Sequence, residues 1–383
     1  MSIYLDNGAT SFPKPRSVEE AIIKALTLYK GSASRSNSSE AHLLERIVYD
    51  TRVTIARFFN FDFPDHVIFT KNVTESINLF INGYLQQGDK VIISALEHNA
   101  VVRPLEVLKQ KKGINVVIIP CDLNGQMDIT LFEEAIQSPT KLVILNHVSN
   151  VSGDIQSIKA VSDLTHKLNI TLMVDAAQSA GVLEVDMKME GIDVLAFTGH
   201  KSLLGPQGIG GLLMSPKLAK EVSPLIYGGT GSLSEHFEQP DIMPDKFESG
   251  TPNSLGILGL KAGLDHLLSL EPQEVHRHET KLIGMLQEAL QESSHIKVIG
   301  NPNPAMRVGI LSIDLPEYDN AVIAYRLNKE FGIITRVGLH CSPLAHQTYG
   351  TFPKGTIRFS TSIFTTEEDI QKTVIAMNAV IQR

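Results

Sequence analysis

The chain has no tryptophan, and only two cysteines, Cys121 and Cys341, among its 383 residues. Two thiols so far apart make no disulfide framework, so a hydrophobic core has to supply the stability and a reducing compartment is expected. Long apolar runs are missing too, and with them any stretch able to span a bilayer as a helix. The opening MSIYLDNGATSFPKP has no basic segment followed by an apolar one, so no secretory signal and a cytoplasmic location are expected. There is no GxxxxGK[ST] and no strand-linked GxGxxG, which leaves out the phosphate loops of nucleotide enzymes. Positive charge is not in excess. A net charge of −8 and a pI near 5.9 argue against nucleic acid or an anionic membrane as a partner.

What remains is an ordinary globular composition, 43% hydrophobic and 20% charged. The length exceeds what one core usually supports, so a large domain with a smaller companion is expected. Short β-branched runs alternate with amphipathic stretches from about residue 65 onward. HVIFT, KVIIS, INVVII, KLVILN, ITLMVD and DVLAF read as strands, and segments such as 75–85 and 157–169 read as helices between them. This alternation predicts an α/β fold with a mostly parallel sheet covered on both faces. After residue 214 the rhythm changes to a glycine-rich segment, then to helices and short strands that read as an α+β unit. The expected division is 15–262 for the large domain, with 1–14 and 263–383 for the small one. MSIYLDNGAT reads as a loop-like start.

In open α/β sheets, ligands bind beyond the C-terminal ends of the strands. Asp175 closes ITLMVD, Thr198 and Lys201 follow DVLAF, Asn150 follows KLVILN, Thr74 follows HVIFT and His98 follows KVIIS. Each taken alone has a structural explanation: an aspartate ending a strand is often a turn former or helix cap. The His276 and His278 pair has no further ligands at metal spacing and reads as a solvated helix face. Lys201 is harder to dismiss. It lies in FTGHKSLLGPQGIGG, among apolar residues and glycines, where a lysine charge is costly without compensation. Pyridoxal 5'-phosphate requires a lysine for a Schiff base and an acidic partner on its pyridine nitrogen. It also needs a phosphate cradle, which a helix N-terminus such as that at Thr74 provides.

In order along the chain come YLDNGATSFPKP, NVTESINL, LEHNA, NHVSNVSG, VDAAQSAG, FTGHKSLLGPQGIGGLL, FESGTPN, RVGLHCSPLAH and TIRFS. Over essentially its full length the chain resembles the class V aminotransferase-fold enzymes, and among them the cysteine desulfurase and selenocysteine lyase branch. The resemblance implies the aspartate aminotransferase-like fold type I, with a seven-stranded, mostly parallel sheet, and pyridoxal 5'-phosphate as cofactor. It implies Lys201 as the Schiff-base lysine, Asp175 on the pyridine nitrogen, Gln178 on the ring hydroxyl and His98 against the ring face. Thr198, His200 and Thr74 would hold the phosphate, and Thr251 would reach the phosphate of a second subunit in a homodimer. Asn150 and Arg358 would bind the carboxylate of an amino-acid substrate, with Arg336 a further candidate. Cys341 would take sulfur from L-cysteine as a persulfide, leaving L-alanine, and pass it to an acceptor protein.

By itself, Cys341 reads equally well as a small buried hydrophobe. The adjacent His340 is expected to help activate it, and Cys121 is expected to be structural. Selenocysteine is an alternative substrate. The competing readings are an aminotransferase or other amino-acid lyase on the same scaffold, with Cys341 incidental, and a non-catalytic sulfur-relay partner. Three stretches depart from the family pattern: DNGAT where many relatives have a second alanine, a serine-rich stretch at 31–42, and Leu339 where close relatives often have histidine.

Overall fold

The computed structural model describes residues 2–29, 39–271 and 273–381. Its centre is a seven-stranded sheet. Across the sheet the strands run Val67–Thr70, Gly210–Met214, Val194–Thr198, Thr171–Asp175, Leu142–Asn146, Lys90–Ser94 and Asn115–Ile119. Only Gly210–Met214 runs against its neighbours; the other pairings are parallel. The mostly parallel α/β expectation therefore holds. Side chains alternate between two cores, as strand geometry requires. Val143 and Leu145 join Phe59, Phe132 and Phe197 on one face. Leu142 and Ile144 join Phe80, Tyr84 and Leu105 on the other. Parallel register aligns Asn146 with Asp175 and Asp175 with Ala196, so several strand ends share one edge.

The helices entering from that edge are capped by the residues that precede them. Asn72, His98, Asp128 and Ser157 each accept a backbone N–H of the first turn. Two helices were hidden in the sequence. Asn99–Lys112 contains Pro104, which reads as a breaker yet is tolerated inside the helix here. Ser39–Phe58 takes up the last residues of the serine-rich 31–42 stretch, of which residues 31–38 lie outside those described.

A second, antiparallel sheet orders Arg336–Gly338, Thr356–Ser360, Ile310–Asp314 and Lys297–Ile299 over a separate core containing Leu286, Leu311, Phe359 and Met377. The opening residues are not simply a loop. Ile3–Tyr4 pairs in parallel with Ile333–Ile334, and Asp6 bridges to Ser360. The His276–His278 pair is half-buried rather than fully solvated. His276 Nε2 meets the Arg307 carbonyl at 3.1 Å and His278 Nε2 meets that of Thr365 at 2.9 Å, which ties their helix to neighbouring chain. No group of residues suited to a metal ion occurs among the described residues.

Candidate active site

Asp175 ends its strand almost fully buried. Burial pushes its pKa up, opposed by the Ala177 N–H donating to Oδ1 at 2.9 Å and by the charge of Lys201. Lys201 follows the next strand. Burial lowers its amine to about 8; Asp175 opposes that shift, while Arg358 and Arg336 add to it. Between the two, Thr198 Oγ1 and His200 Nδ1 are buried with no hydrogen-bond partner. Such orphans are rare unless a ligand or water completes them. Burial, then the charges of Lys201 and Lys14, push His200 down to about 4, so its ring is neutral.

Thr74 stands in the first turn of the helix Val73–Tyr84, whose start packs against Gly210, the cross-strand partner of Thr198. The glycines of GPQGIGG explain how the helix comes so close. A Cβ on Gly210 would lie 2.7 Å from the Phe197 carbonyl oxygen and 2.8 Å from Asn72 Cα, so only glycine lets the helix start pack against that strand. His98 caps its own helix, Nδ1 accepting the Ala100 N–H at 3.0 Å. Burial lowers it to about 4, with Lys201, Arg336 and Arg358 contributing, so this imidazole is neutral as well.

The N-terminal strap crosses the same edge. Ser11 Oγ donates to the Lys201 carbonyl at 2.8 Å and Lys14 Nζ to the His200 carbonyl at 2.7 Å. Gln178 Nε2 donates to the Gly8 carbonyl at 3.0 Å, so one of its N–H groups serves the strap. Arg358 Nη2 donates to Asp6 Oδ1 at 3.0 Å. A Cβ on Gly8 would stand 3.2 Å from Arg358 Cζ, so the glycine of DNGAT leaves room for the guanidinium to lie against the strap.

Arg358 and Arg336 are cross-strand partners in the second sheet. Arg358 is buried with Nε unpartnered, whereas Arg336 is exposed. Asn150 accepts Arg358 Nη1 on its backbone carbonyl at 2.9 Å. Its side chain points to the thiol loop: Nδ2 donates to the His340 carbonyl at 2.7 Å, and Oδ1 accepts Ser342 Oγ at 2.6 Å. Cys341 is exposed on that loop. His340 does not activate it as expected. The ring is buried and pushed down to about 2 by burial, Arg358 and His346, and Nε2 meets Thr356 Oγ1 at 3.0 Å. A neutral ring provides no cation for a thiolate. Burial raises Cys121 to about 11, as suits an inert thiol.

Two features escaped the sequence. Glu97, in LEHNA, is buried and pushed up to about 8 by desolvation, with the Asp175 charge adding, although Ser94 Oγ and the Asn146 N–H donate to it at 2.7 and 2.8 Å. It braces two strand ends beneath the site, and its place between Ser94 and His98 was the only signal. The second is a cleft of about 1000 Å³ lined by Tyr49, Leu225, Phe247 and Thr251, the last of these exposed on its loop. None of Lys201, Asp175 and His98 lines that cleft.

The aminotransferase class-V family profile matches residues 3–373. The chain belongs to the aminotransferase class-V family. This class-V chain is 32% identical to a probable cysteine desulfurase of Methanothermobacter thermautotrophicus, over 96% of its length and 92% of the relative's. It is also 32% identical to a cysteine desulfurase of Haloferax volcanii, over 98% and 89%. Among solved structures it superposes on the apo cysteine desulfurase of Thermococcus onnurineus with a TM-score of 0.93 at 29% identity, over 100% of this chain and 95% of that one. The cysteine desulfurase CsdA of Escherichia coli gives 0.90, also at 29% identity and the same coverage.

Proposed function

We propose that this class-V protein is a pyridoxal 5'-phosphate-dependent cysteine desulfurase that turns L-cysteine into L-alanine and keeps the sulfur on Cys341. One observation carries the reading: the exposed Cys341 thiol sits on a turn bonded to Asn150, the residue that also receives Arg358. The residues fit the cofactor. Asp175 suits a protonated pyridine nitrogen, and the orphaned Thr198 Oγ1 and His200 Nδ1 beside the helix start at Thr74 suit a phosphate. When bound, the cofactor supplies an electron-withdrawing ring that acidifies the substrate Cα–H and labilises the Cβ–S bond.

Lys201, with its amine near 8, is neutral often enough at physiological pH to take the Cα proton on Nζ and return one. Gln178 and the neutral His98 would line the ring, and Arg358 would pair with the substrate carboxylate, supported by Asn150 and Arg336. The Cys341 sulfur forms an S–S bond with the substrate sulfur as the Cβ–S bond breaks, and Cβ is protonated. Cysteine plus the thiol thus give alanine plus the persulfide, with no outside oxidant or reductant. In this reading Thr251, which lines a different cleft, reaches the phosphate of a second copy in a homodimer. The persulfide then passes to a thiol of an acceptor protein in a reducing cytoplasm. Among the described residues no helix is long and apolar enough to cross a membrane.

Incubation of the purified holoenzyme with L-cysteine tests the reading. Alanine and a Cys341-bound persulfide in equal first-turnover amounts are expected, and Cys341→Ala should lose the persulfide. Conversion of the cofactor to its amine form by an amino acid, with no persulfide, would instead favour an aminotransferase. Selenocysteine offers the same Cβ–chalcogen bond and belongs in the substrate panel.

A further inference from the structure

Leu339 to Ser342 form a β-turn, closed by the Ser342 N–H donating to the Leu339 carbonyl at 2.9 Å. Both central residues have a left-handed backbone, φ 48° at His340 and 60° at Cys341. Turns with positive φ at both central positions favour glycine, asparagine and aspartate. Histidine and cysteine persist there only where the surroundings over-determine the conformation.

Those surroundings are specific. Asn150 brackets the thiol residue, donating to the carbonyl before it and accepting the hydroxyl after it. The Cys341 carbonyl accepts the N–H of Asn99, the first residue of the helix capped by His98, at 2.8 Å. Ser342 is fully buried, so Asn150 Oδ1 would have no water to replace the hydroxyl. The Asn150 side chain is thus committed to the turn that carries the thiol, while its backbone carbonyl receives Arg358.

We propose that Ser342 is a positioning residue whose hydroxyl, acting through Asn150, locks the left-handed turn that aims Cys341 at the substrate sulfur. The inference rests on the desulfurase reading above. The step it serves is the one already balanced there: sulfur leaves Cβ for Cys341, and a proton replaces it on carbon. Ser342 touches neither substrate nor cofactor. Without its hydroxyl the Asn150 amide is free to rotate, the His340 carbonyl loses a fixed donor, and the turn relaxes away from positive φ. Cα chemistry at Lys201 is left alone.

The test compares wild-type, Ser342→Ala and Ser342→Thr holoenzymes in two assays. The first follows persulfide formation on Cys341 from L-cysteine. The second follows exchange of the L-alanine Cα proton in D2O, which needs Lys201 and the cofactor but no thiol. Ser342→Ala is expected to form persulfide about ten-fold more slowly at saturating cysteine, with KM and alanine exchange changed less than about two-fold. Ser342→Thr, which keeps the hydroxyl, is expected to recover most of the rate. Unchanged persulfide formation in Ser342→Ala would overturn the proposal. So would a parallel loss of both activities, which marks general damage. A wild-type enzyme that exchanges alanine but makes no persulfide overturns the desulfurase reading itself, and this inference with it.

Discussion

Lys201 sits where burial disfavours its charge and a carboxylate, Asp175, disfavours its loss. Burial wins, and the amine falls from the usual 10.5 to about 8. Only the neutral amine attacks an aldehyde, so apoprotein should bind pyridoxal 5'-phosphate about ten-fold faster per pH unit up to a plateau near pH 8. The absorbance of the lysine-bound cofactor follows this directly. A rate still climbing toward pH 10 would show an unperturbed lysine. At the same scale, His98, His200 and His340 are all neutral for one shared reason, burial among cations. Cys341 therefore has an exposed position and a left-handed turn but no neighbouring imidazolium.

Among the elements, the helix Glu274–Gln291 carries the clearest prediction. Glu279 faces the core, and its Oε2 accepts the Gly309 N–H at 3.1 Å. A Cβ at 309 would lie 2.4 Å from that same oxygen, so a larger residue there would push the carboxyl aside. Desolvation raises the carboxyl from 4.5 to about 8. A raised folded-state pKa means that the unfolded chain binds fewer protons over that interval. The contribution is then full below about pH 4.5 and is lost as pH rises through about 8. Glu279→Gln keeps an acceptor for Gly309 and removes the ionisation. Its melting temperature should fall less than that of the wild type between pH 5 and pH 9, and should exceed it above pH 8. Parallel curves would show that Glu279 does not ionise in this range.

At the scale of the whole molecule, the loop bearing Thr251 is anchored to the body of the protein. Arg52 donates from Nη1 and Nη2 to the two carboxylate oxygens of Glu248, each at 2.7 Å, and its guanidinium lies 4.4 Å from the centre of the Phe69 ring. Glu248 also accepts the Phe69 N–H at 2.6 Å. Thr251 is thus held out beside a cleft, with Ile226 and Tyr227 exposed nearby. A second copy that inserts here would complete its own phosphate site with the Thr251 of this one. Mixing tests that arrangement. Lys201→Ala and Thr251→Asp, each impaired alone, should recover up to about a quarter of wild-type activity when refolded together. Half of the dimers are then mixed, and each has one intact site. No recovery would place Thr251 in the site of its own chain.

The sequence alone determined the strand order along the chain and the residues at each strand end. Asp175, Thr198 and Lys201 were legible because strands of β-branched residues and turn residues punctuate themselves locally. Family likeness extended that reading to Thr251, Arg358 and Cys341. Three things depended on tertiary structure. The strap that lays Ser11, Gly8 and Asp6 over Lys201, Gln178 and Arg358 joins residues far apart in sequence. The burial that makes His340 neutral and Glu97 protonated comes from surrounding chain, not from sequence neighbours. Cys341 was visible at once as a residue; its left-handed turn was not. Positive φ at two non-glycine positions has no local signature, because only the contacts from Asn150, Asn99 and Thr356 make it the lower-energy choice.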